Sequence, residues 1–596
     1  LAALEERREE LLARLESVAS ARAAQKLRIA RDKANAIDWA SIDGFAHSSA
    51  VHRALGETFK IANFRHVQLQ CVNATLSGQD VLCTMPAGGG KSLTYMLPAA
   101  VEGDAGVTLV VSPLLSLIMD QLRHARLLGV PAEAFHSLTS KEETAALLRR
   151  MRAPGAAAAS SSGDAAEPPL SGLLFCTPEK IAKSKRFLSK LEGMASRLKR
   201  IVIDECHCIS SYGHDFRPDY AKLNVLKRQF PKTSILALTA TATSKVADEA
   251  CSVLGIPAAV RFSSSVHRPN LAYTVVKKPP TPAGVIDAIA RFIHDTYPSP
   301  SSSGIVYTFS RKDAETVATE LCARGISATF YHADLADEAR MQTHQRWTEG
   351  KVQVMVATVA FGMGINKTDV RFVIHHTLSK SMENYYQEAG RAGRDGKPAH
   401  CVLFFSGRDV PRQSSMVFYE KAGTELLYPI VRYCLDTGTC RHLAFTRYFH
   451  ERDPKPGAGD GAGSAVAECD VCSLRAASSS SASSRDATAA AQALLRTLEE
   501  LASAEANATL LQLVDKARAH KTHGAAVKAL GDKTEAELLV AAMLARGALR
   551  EYWLNTAYAT NAYVRTGRRA GALLRGEETI QLPVLAEPTL KRKRNE

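Results

Sequence analysis

Lys91 and Ser92 close the stretch Met85-Pro-Ala-Gly88-Gly89-Gly90-Lys91-Ser92, whose residue types suit a polyphosphate. A glycine-rich turn lets backbone N–H groups converge on a phosphate, and a helix starting behind it adds positive potential. Lys91 in such a loop reaches the β and γ phosphates of a nucleotide, and Ser92 holds Mg²⁺. The strict pattern has glycine where Met85 stands. A second set, Asp204 and Glu205, follows the apolar run Ile201-Val-Ile203. A carboxylate at a strand tip can hold Mg²⁺ through water, while its neighbour orients and deprotonates an attacking water. A third set is Gln387-Glu-Ala-Gly-Arg391-Ala-Gly-Arg394, two arginines between glycines. It suits a phosphate clamp in which one arginine serves as a finger on the γ-phosphate. Thr239-Ala-Thr241, after another apolar run, could link the nucleotide site to other loops, or be an ordinary turn.

These residues need strand ends to stand on. From about 45 to 260 apolar runs alternate with helical stretches: 81–84, 107–111, 173–176, 201–203 and 235–238. The alternation predicts a parallel sheet covered on both faces. From about 265 to 410 the pattern recurs at 304–309, 328–331, 352–357, 372–375 and 401–405, without a phosphate loop. Two α/β lobes with one such loop suggest a nucleotide held at an interface. Residues 153–169 are small and polar and read as a surface insertion. Residues 488–583 run as helices and then two strands, about 548–553 and 556–565, the order of a winged helix. Before the lobes, Leu4, Leu11, Leu15 and Val18 stripe a charged helix, either a solvated helix or a dimer seam.

A chain of 596 residues exceeds one core, and its net charge of +14 favours a polyanionic partner. It has no run of ~20 uncharged apolar residues, so no membrane span is predicted. Of the 12 cysteines, four cluster late: Cys434, Cys440, Cys469 and Cys472. That distribution points to a reducing compartment and one metal site rather than a disulfide framework.

Taken together the motifs resemble those of superfamily-2 helicases, specifically the RecQ DNA helicases, over about 45 to 585. Phe64-Arg65-His-Val-Gln68 resembles the motif that reads adenine, so Arg65 and Gln68 join Gly88, Gly89, Gly90, Lys91, Ser92 and Asp204 around ATP. Ser112-Pro-Leu-Leu-Ser-Leu is similar to the single-strand contact motif, and Asp204-Glu-Cys-His207 to the family's DExH box. Ser210-Ser-Tyr212-Gly-His214-Asp-Phe216-Arg217 resembles the aromatic loop that couples DNA binding to hydrolysis, with Tyr212 in place of the usual Trp. The match is closest to the short member without an HRDC domain. It implies two RecA-like lobes (45–262 and 263–410), a helical zinc-binding module (411–487), a winged helix (488–585), and flanking segments 1–44 and 586–596. It implies 3′→5′ translocation on single-stranded DNA and unwinding of duplex, forked or branched DNA with ATP, Mg²⁺ and Zn²⁺, in the nucleus, in repair, replication or recombination. An RNA helicase of the same superfamily, or a DNA translocase or scaffold that does not unwind, are the alternatives.

In that family zinc has four cysteine ligands. Cys440, Cys469 and Cys472 match three of them, the last two at the spacing that suits tetrahedral zinc. The remaining position falls near Ala465, which leaves Cys434, His442 or His450 for the fourth ligand. The family also carries an aromatic wedge at the hairpin tip of its winged helix. Tyr552-Trp553 is expected at that turn, with Trp553 as wedge or as core residue. The homo-oligomer contact, if one forms, falls to the N-terminal helix or the winged helix. Lys591-Arg-Lys-Arg594 reads as a nuclear address or a plain basic tail.

Overall fold

The computed structural model describes residues 2–151, 168–210, 215–362, 365, 367–449, 468–477, 484–555 and 560–586. Most of the small-residue insertion, His450 and the basic tail therefore lie outside the described residues. The chain divides into two compact units, Leu1–Ser265 and Val266–Glu596.

The first unit is built on seven strands: β1 (Val81–Thr84), β2 (Val107–Val111), β3 (Ala132–Phe135), β4 (Gly172–Cys176), β5 (Leu198–Ile203), β6 (Ser234–Thr239) and β7 (Val260–Ser263). Their order is β3-β4-β2-β5-β6-β1-β7, and every pairing is parallel. β2, β4 and β6 are buried at every residue, as a parallel sheet covered on both faces requires. Two separate apolar clusters fill those faces. The order sets β5, β6 and β1 side by side. The loops at their C-terminal ends, Asp204-Glu205, Thr239–Thr241 and the phosphate loop, are therefore neighbours, where parallel sheets hold ligands. The N-terminal helix Ala2–Asn35 leaves Leu11, Leu12, Leu15 and Val18 exposed.

The second unit carries β8 (Leu271–Lys277), β9 (Gly304–Tyr307), β10 (Ala328–Tyr331), β11 (Val354–Ala357), β12 (Phe372–His375) and β13 (Ala399–Phe405). They form a second all-parallel sheet of order β10-β11-β9-β12-β13-β8. Helices Asp409–Val417, Gly423–Leu435 and Arg441–Tyr448 follow, then β14 (Ser484–Asp486) and the helices of a winged helix. Its hairpin is β15 (Leu549–Asn555) and β16 (Thr560–Thr566), and β17 (Gln581–Pro583) closes back on β14. One apolar cluster runs without a break from Leu271 and Tyr385 through Phe445 and Cys469 to Leu494 and Leu539, so these modules share a core. Among the described residues no helix is long and apolar enough to cross a membrane.

Five strands were not expected: β3, β7, β8 and the short pair β14 and β17. β3 and β7 are edge strands whose burial is mixed, with Glu133 and Arg261 in them, so neither reads as an apolar run. β8 was missed although five of its seven residues are buried.

Candidate nucleotide site, cysteine cluster and hairpin

The phosphate loop leaves β1 with Met85 buried in the core and bonded through its N–H to Thr239 O (3.0 Å). Met85 is not among the residues with positive φ, which explains why no glycine is needed there. Gly88 and Gly90 both sit at φ +80, where only glycine is at ease. Gln68 braces the loop: its amide donates to Gly89 O (3.2 Å) and Gly90 O (3.0 Å), and its Oε1 accepts from Arg65 N (2.8 Å). In this state both ends of Gln68 are committed to the loop and to Arg65, whose side chain is exposed. Ser92 caps the helix Leu93–Glu102 and makes no side-chain capping bond.

Beside the loop, Lys91 Nζ meets Glu205 Oε1 at 3.3 Å. Glu205 has left-handed φ of +49, uncommon for a residue with a side chain and a mark of functional turns. Its Oε2 is buried without a hydrogen-bond partner, 3.4 Å from His207 Nδ1. The Thr239 hydroxyl donates its one proton to Thr241 O (3.1 Å), so it accepts from His207 Nδ1–H (2.9 Å). That chain ties the acidic pair to Thr239–Thr241. Asp204 is buried, and burial and the Glu205 charge push its carboxyl up to about 7, with Lys91 opposing. Ser112 corrects an expectation. It is buried, and its hydroxyl faces Asp204 Oδ2 (3.5 Å) instead of presenting itself to a DNA strand, because it caps the end of β2 next to β5. These donors and acceptors fit a nucleotide with Mg²⁺: a lysine, a free carboxylate oxygen and a loop of turned glycines meet at one strand edge.

The aromatic loop is seen in part. Tyr212 and His214 lie outside the described residues. Phe216 is 44% exposed, open to stacking on a base. Arg217 donates to Pro113 O (2.9 Å) and pairs with Asp215 (3.3 Å), so it fastens this loop to the Ser112 loop. In the second unit Gln387 is half-buried on the helix Met382–Ala389. Arg391 is buried and donates to Gly362 O, while the half-buried Arg394 donates to Ile365 O.

Cys440, Cys469 and Cys472 bring their sulfurs within 4.8 Å of one another, and Cys440 and Cys469 stand 3.8 Å apart. Arg441 N–H donates to Cys469 Sγ (3.4 Å). A hydrogen bond from Cys469 (3.8 Å) holds the Cys440 thiol below its usual range. These three residues fit zinc. Cys434 does not join them: it is fully buried in the apolar core on the helix Gly423–Leu435, where burial raises its thiol. Six residues of sequence separation misled, because the helix end turns the thiol inward. Sequence reading also missed the clamp under the knuckle. Arg441 is buried and bidentate to Asp470 (2.9 and 3.0 Å), and Asp470 Oδ2 accepts from Val275 N on β8 (3.0 Å). Breaking a buried pair by removing one partner costs about 3–5 kcal/mol. Asp470→Ala is therefore expected to lower the melting temperature clearly even with zinc present, while an exposed control such as Asp334→Ala leaves it unchanged.

The hairpin carries a second correction. β15 and β16 pair from Leu549↔Thr566 to Asn555↔Thr560, so the turn comprises 556–559, not Tyr552-Trp553. Trp553 pairs with Ala562, stacks on Phe418 (5.4 Å, 18°) and sends Nε1–H toward Ser414 Oγ (3.4 Å). Next to it the buried Glu551 accepts from Ser414 (2.9 Å) and Tyr428 (2.8 Å). Tyr552 stacks on Tyr563 with Arg565 over its ring. Glu551 and Trp553 thus fasten the first strand of the hairpin to the helices Asp409–Val417 and Gly423–Leu435. Tyr558 is the one aromatic in the connecting sequence Thr556-Ala-Tyr-Ala559, which lies outside the described residues.

Comparison with known proteins gives three family matches: DEAD/DEAH box helicase over 65–250, helicase conserved C-terminal domain over 285–396, and RecQ zinc-binding over 407–473. The chain is 47% identical over 540 residues to ATP-dependent DNA helicase Q-like 2 of Arabidopsis thaliana, spanning 90% of this chain and 72% of that protein. It is 40% identical over 556 residues to ATP-dependent DNA helicase Q1 of Rattus norvegicus (92% and 84%). It is also 39% identical over 564 residues to the putative ATP-dependent DNA helicase Q1 of Caenorhabditis elegans (93% and 84%).

Proposed function

This chain belongs to the RecQ family of ATP-dependent DNA helicases, and from that premise we propose that it travels 3′→5′ on single-stranded DNA and opens forked and tailed duplexes, in the nucleus, in DNA repair or recombination. The observation that carries the catalytic reading is Lys91 against Glu205 at 3.3 Å, beside the turned glycines. Lys91 neutralises the β and γ phosphates; on their arrival its partner Glu205 is released to orient the attacking water and take its proton. The unpartnered Glu205 Oε2 is the acceptor for that proton. Mg²⁺, when bound, spreads the charge of the β and γ oxygens, and Asp204 and Ser92 would hold it. Gln387, Arg391 and Arg394 are assigned to phosphate contacts, as the resemblance of their motif implies. Phe216 and Arg217, with Tyr212 and His214, meet the single strand. Their loop and the His207–Thr239–Thr241 chain both border the acid pair, a physical route by which DNA binding can speed hydrolysis.

Asp204 gives a pH dependence. A carboxyl raised from its ordinary range to about 7 keeps its proton in the folded, metal-free protein where the unfolded chain has lost it. The contribution of Asp204 to metal-free stability is therefore greatest at low pH and declines as pH rises through about 4 to 7. Mg²⁺ must displace that proton. Mg²⁺-dependent nucleotide binding is expected to weaken by up to about tenfold per unit below about pH 7, measured by titrating Mg²⁺ against a bound non-hydrolysable ATP analogue at pH 6, 7 and 8. Affinity independent of pH over that range would remove Asp204 from the metal site.

A further inference from the structure

We propose that His442 Nδ1 is the fourth zinc ligand, in place of a fourth cysteine; this rests on the zinc reading of the cysteine cluster. Tetrahedral zinc with Zn–S ≈ 2.3 Å and Zn–N ≈ 2.0–2.1 Å separates two sulfurs by ~3.8 Å and a sulfur from a nitrogen by ~3.6 Å. Cys440 Sγ stands 3.8 Å from Cys469 Sγ and 4.0 Å from His442 Nδ1, close to both values with no ion drawing them in. The other side of the imidazole fixes its tautomer. Nε2 lies 3.0 Å from the carbonyl oxygen of Leu271. A carbonyl only accepts, so Nε2 carries the hydrogen and Nδ1 turns its lone pair toward Cys440. A ring nitrogen that donates to a backbone carbonyl while the other meets the metal is the usual support of a zinc histidine. The ring is also held still: it is 6% exposed, edge-on to His267 (5.0 Å) and Tyr273 (5.2 Å). Among the described residues the nearby alternatives are occupied or remote. Asp470 is committed to Arg441 and Val275, and Cys434 is buried away from the cluster. Glu468 is exposed and accepts from Ser473. The imidazole stands on the Cys440 side, outside the three sulfurs that lie within 4.8 Å of one another, so four-coordination requires Nδ1 and the sulfurs of Cys469 and Cys472 to close up around the ion.

Cobalt reports the ligand set directly, because the visible bands of tetrahedral Co²⁺ move to lower energy as thiolate replaces nitrogen. The full chain, stripped of metal under reducing conditions, is titrated with Co²⁺ and back-titrated with Zn²⁺. The wild type is expected to take up a single ion with bands of a three-sulfur, one-nitrogen site. His442→Cys should shift those bands to the four-thiolate position, and His442→Ala should weaken affinity by at least about 100-fold. His450→Ala should change neither. If His442→Ala keeps the wild-type bands and affinity, or if His450→Ala loses them, the assignment of His442 fails while zinc binding stands. Bands that stay in place in a metal-bound His442→Cys protein also overturn it. A wild type that takes up neither ion defeats the zinc reading itself. The His442→Cys gain of a distinct spectrum keeps the test decisive if the alanine variant folds poorly.

Discussion

Glu205→Gln is expected to stop ATP turnover while nucleotide binding persists, and Lys91→Ala to abolish hydrolysis altogether. The two differ because of what each side chain does at 3.3 Å from the other. Glutamine keeps the volume and a hydrogen-bond oxygen at 205 but cannot take the water's proton. Asp204 and Ser92 remain for the metal, so the nucleotide still binds. General-base removal typically costs 10²–10⁴-fold in rate, and in a slow hydrolase that leaves little above background. Lys91→Ala removes the one cation of the loop, since no other lysine or arginine lies in Met85–Ser92. Hydrolysis with and without single-stranded DNA, beside binding of a fluorescent ATP analogue, checks both. Wild-type turnover in Glu205→Gln would mean another residue is the base.

The second large effect separates the connecting sequence 556–559 from the strand residues that precede it. Tyr558→Ala is expected to cut strand separation strongly while DNA-stimulated hydrolysis and the melting temperature stay as in wild type. An aromatic on a base contributes about 1–3 kcal/mol, comparable to the ~1.4 kcal/mol of one base-pair step. An aromatic ring in the connecting sequence can therefore replace the stacking that the first opened pair loses. Trp553→Ala should behave differently. Its ring stacks on Phe418 and its neighbour Glu551 is bonded to Ser414 and Tyr428. Losing it loosens the hold of the hairpin strand on the helices that carry Ser414 and Tyr428, so the melting temperature and unwinding should fall together, and Trp553→Phe should restore most of both. If Trp553→Ala melts as the wild type does but unwinds nothing, Trp553 itself touches DNA and the assignment to Tyr558 is wrong.

The contrast shows where sequence reading works. The phosphate loop, Asp204-Glu205 and Thr239–Thr241 were legible because each directly follows an apolar run. Parallel-sheet geometry then brings the ends of β1, β5 and β6 to one edge. Ser112 also follows such a run, yet neighbouring β5 turned its hydroxyl to Asp204, a pairing that only strand order reveals. The turn of the hairpin was misplaced because strand length is set by cross-strand pairing. Leu554 and Asn555 extend β15 past the aromatics although neither marks a strand. Cys434 was misassigned for a related reason: nearness in sequence says nothing about which way a thiol leaves a helix. Arg441–Asp470 was invisible because its partners are 29 residues apart and both look like surface charges.

The most direct test of the central claim is strand displacement from two DNA duplexes that differ in one tail, 3′ or 5′, with a matched RNA duplex beside them. With Mg²⁺ and ATP, the protein should release the labelled strand from the 3′-tailed DNA. It should act weakly on 5′-tailed DNA and on RNA, and lose activity when ATP is replaced by a non-hydrolysable analogue. Release from the 5′-tailed duplex alone, preference for RNA, or DNA-stimulated hydrolysis with no strand released from any substrate would contradict it.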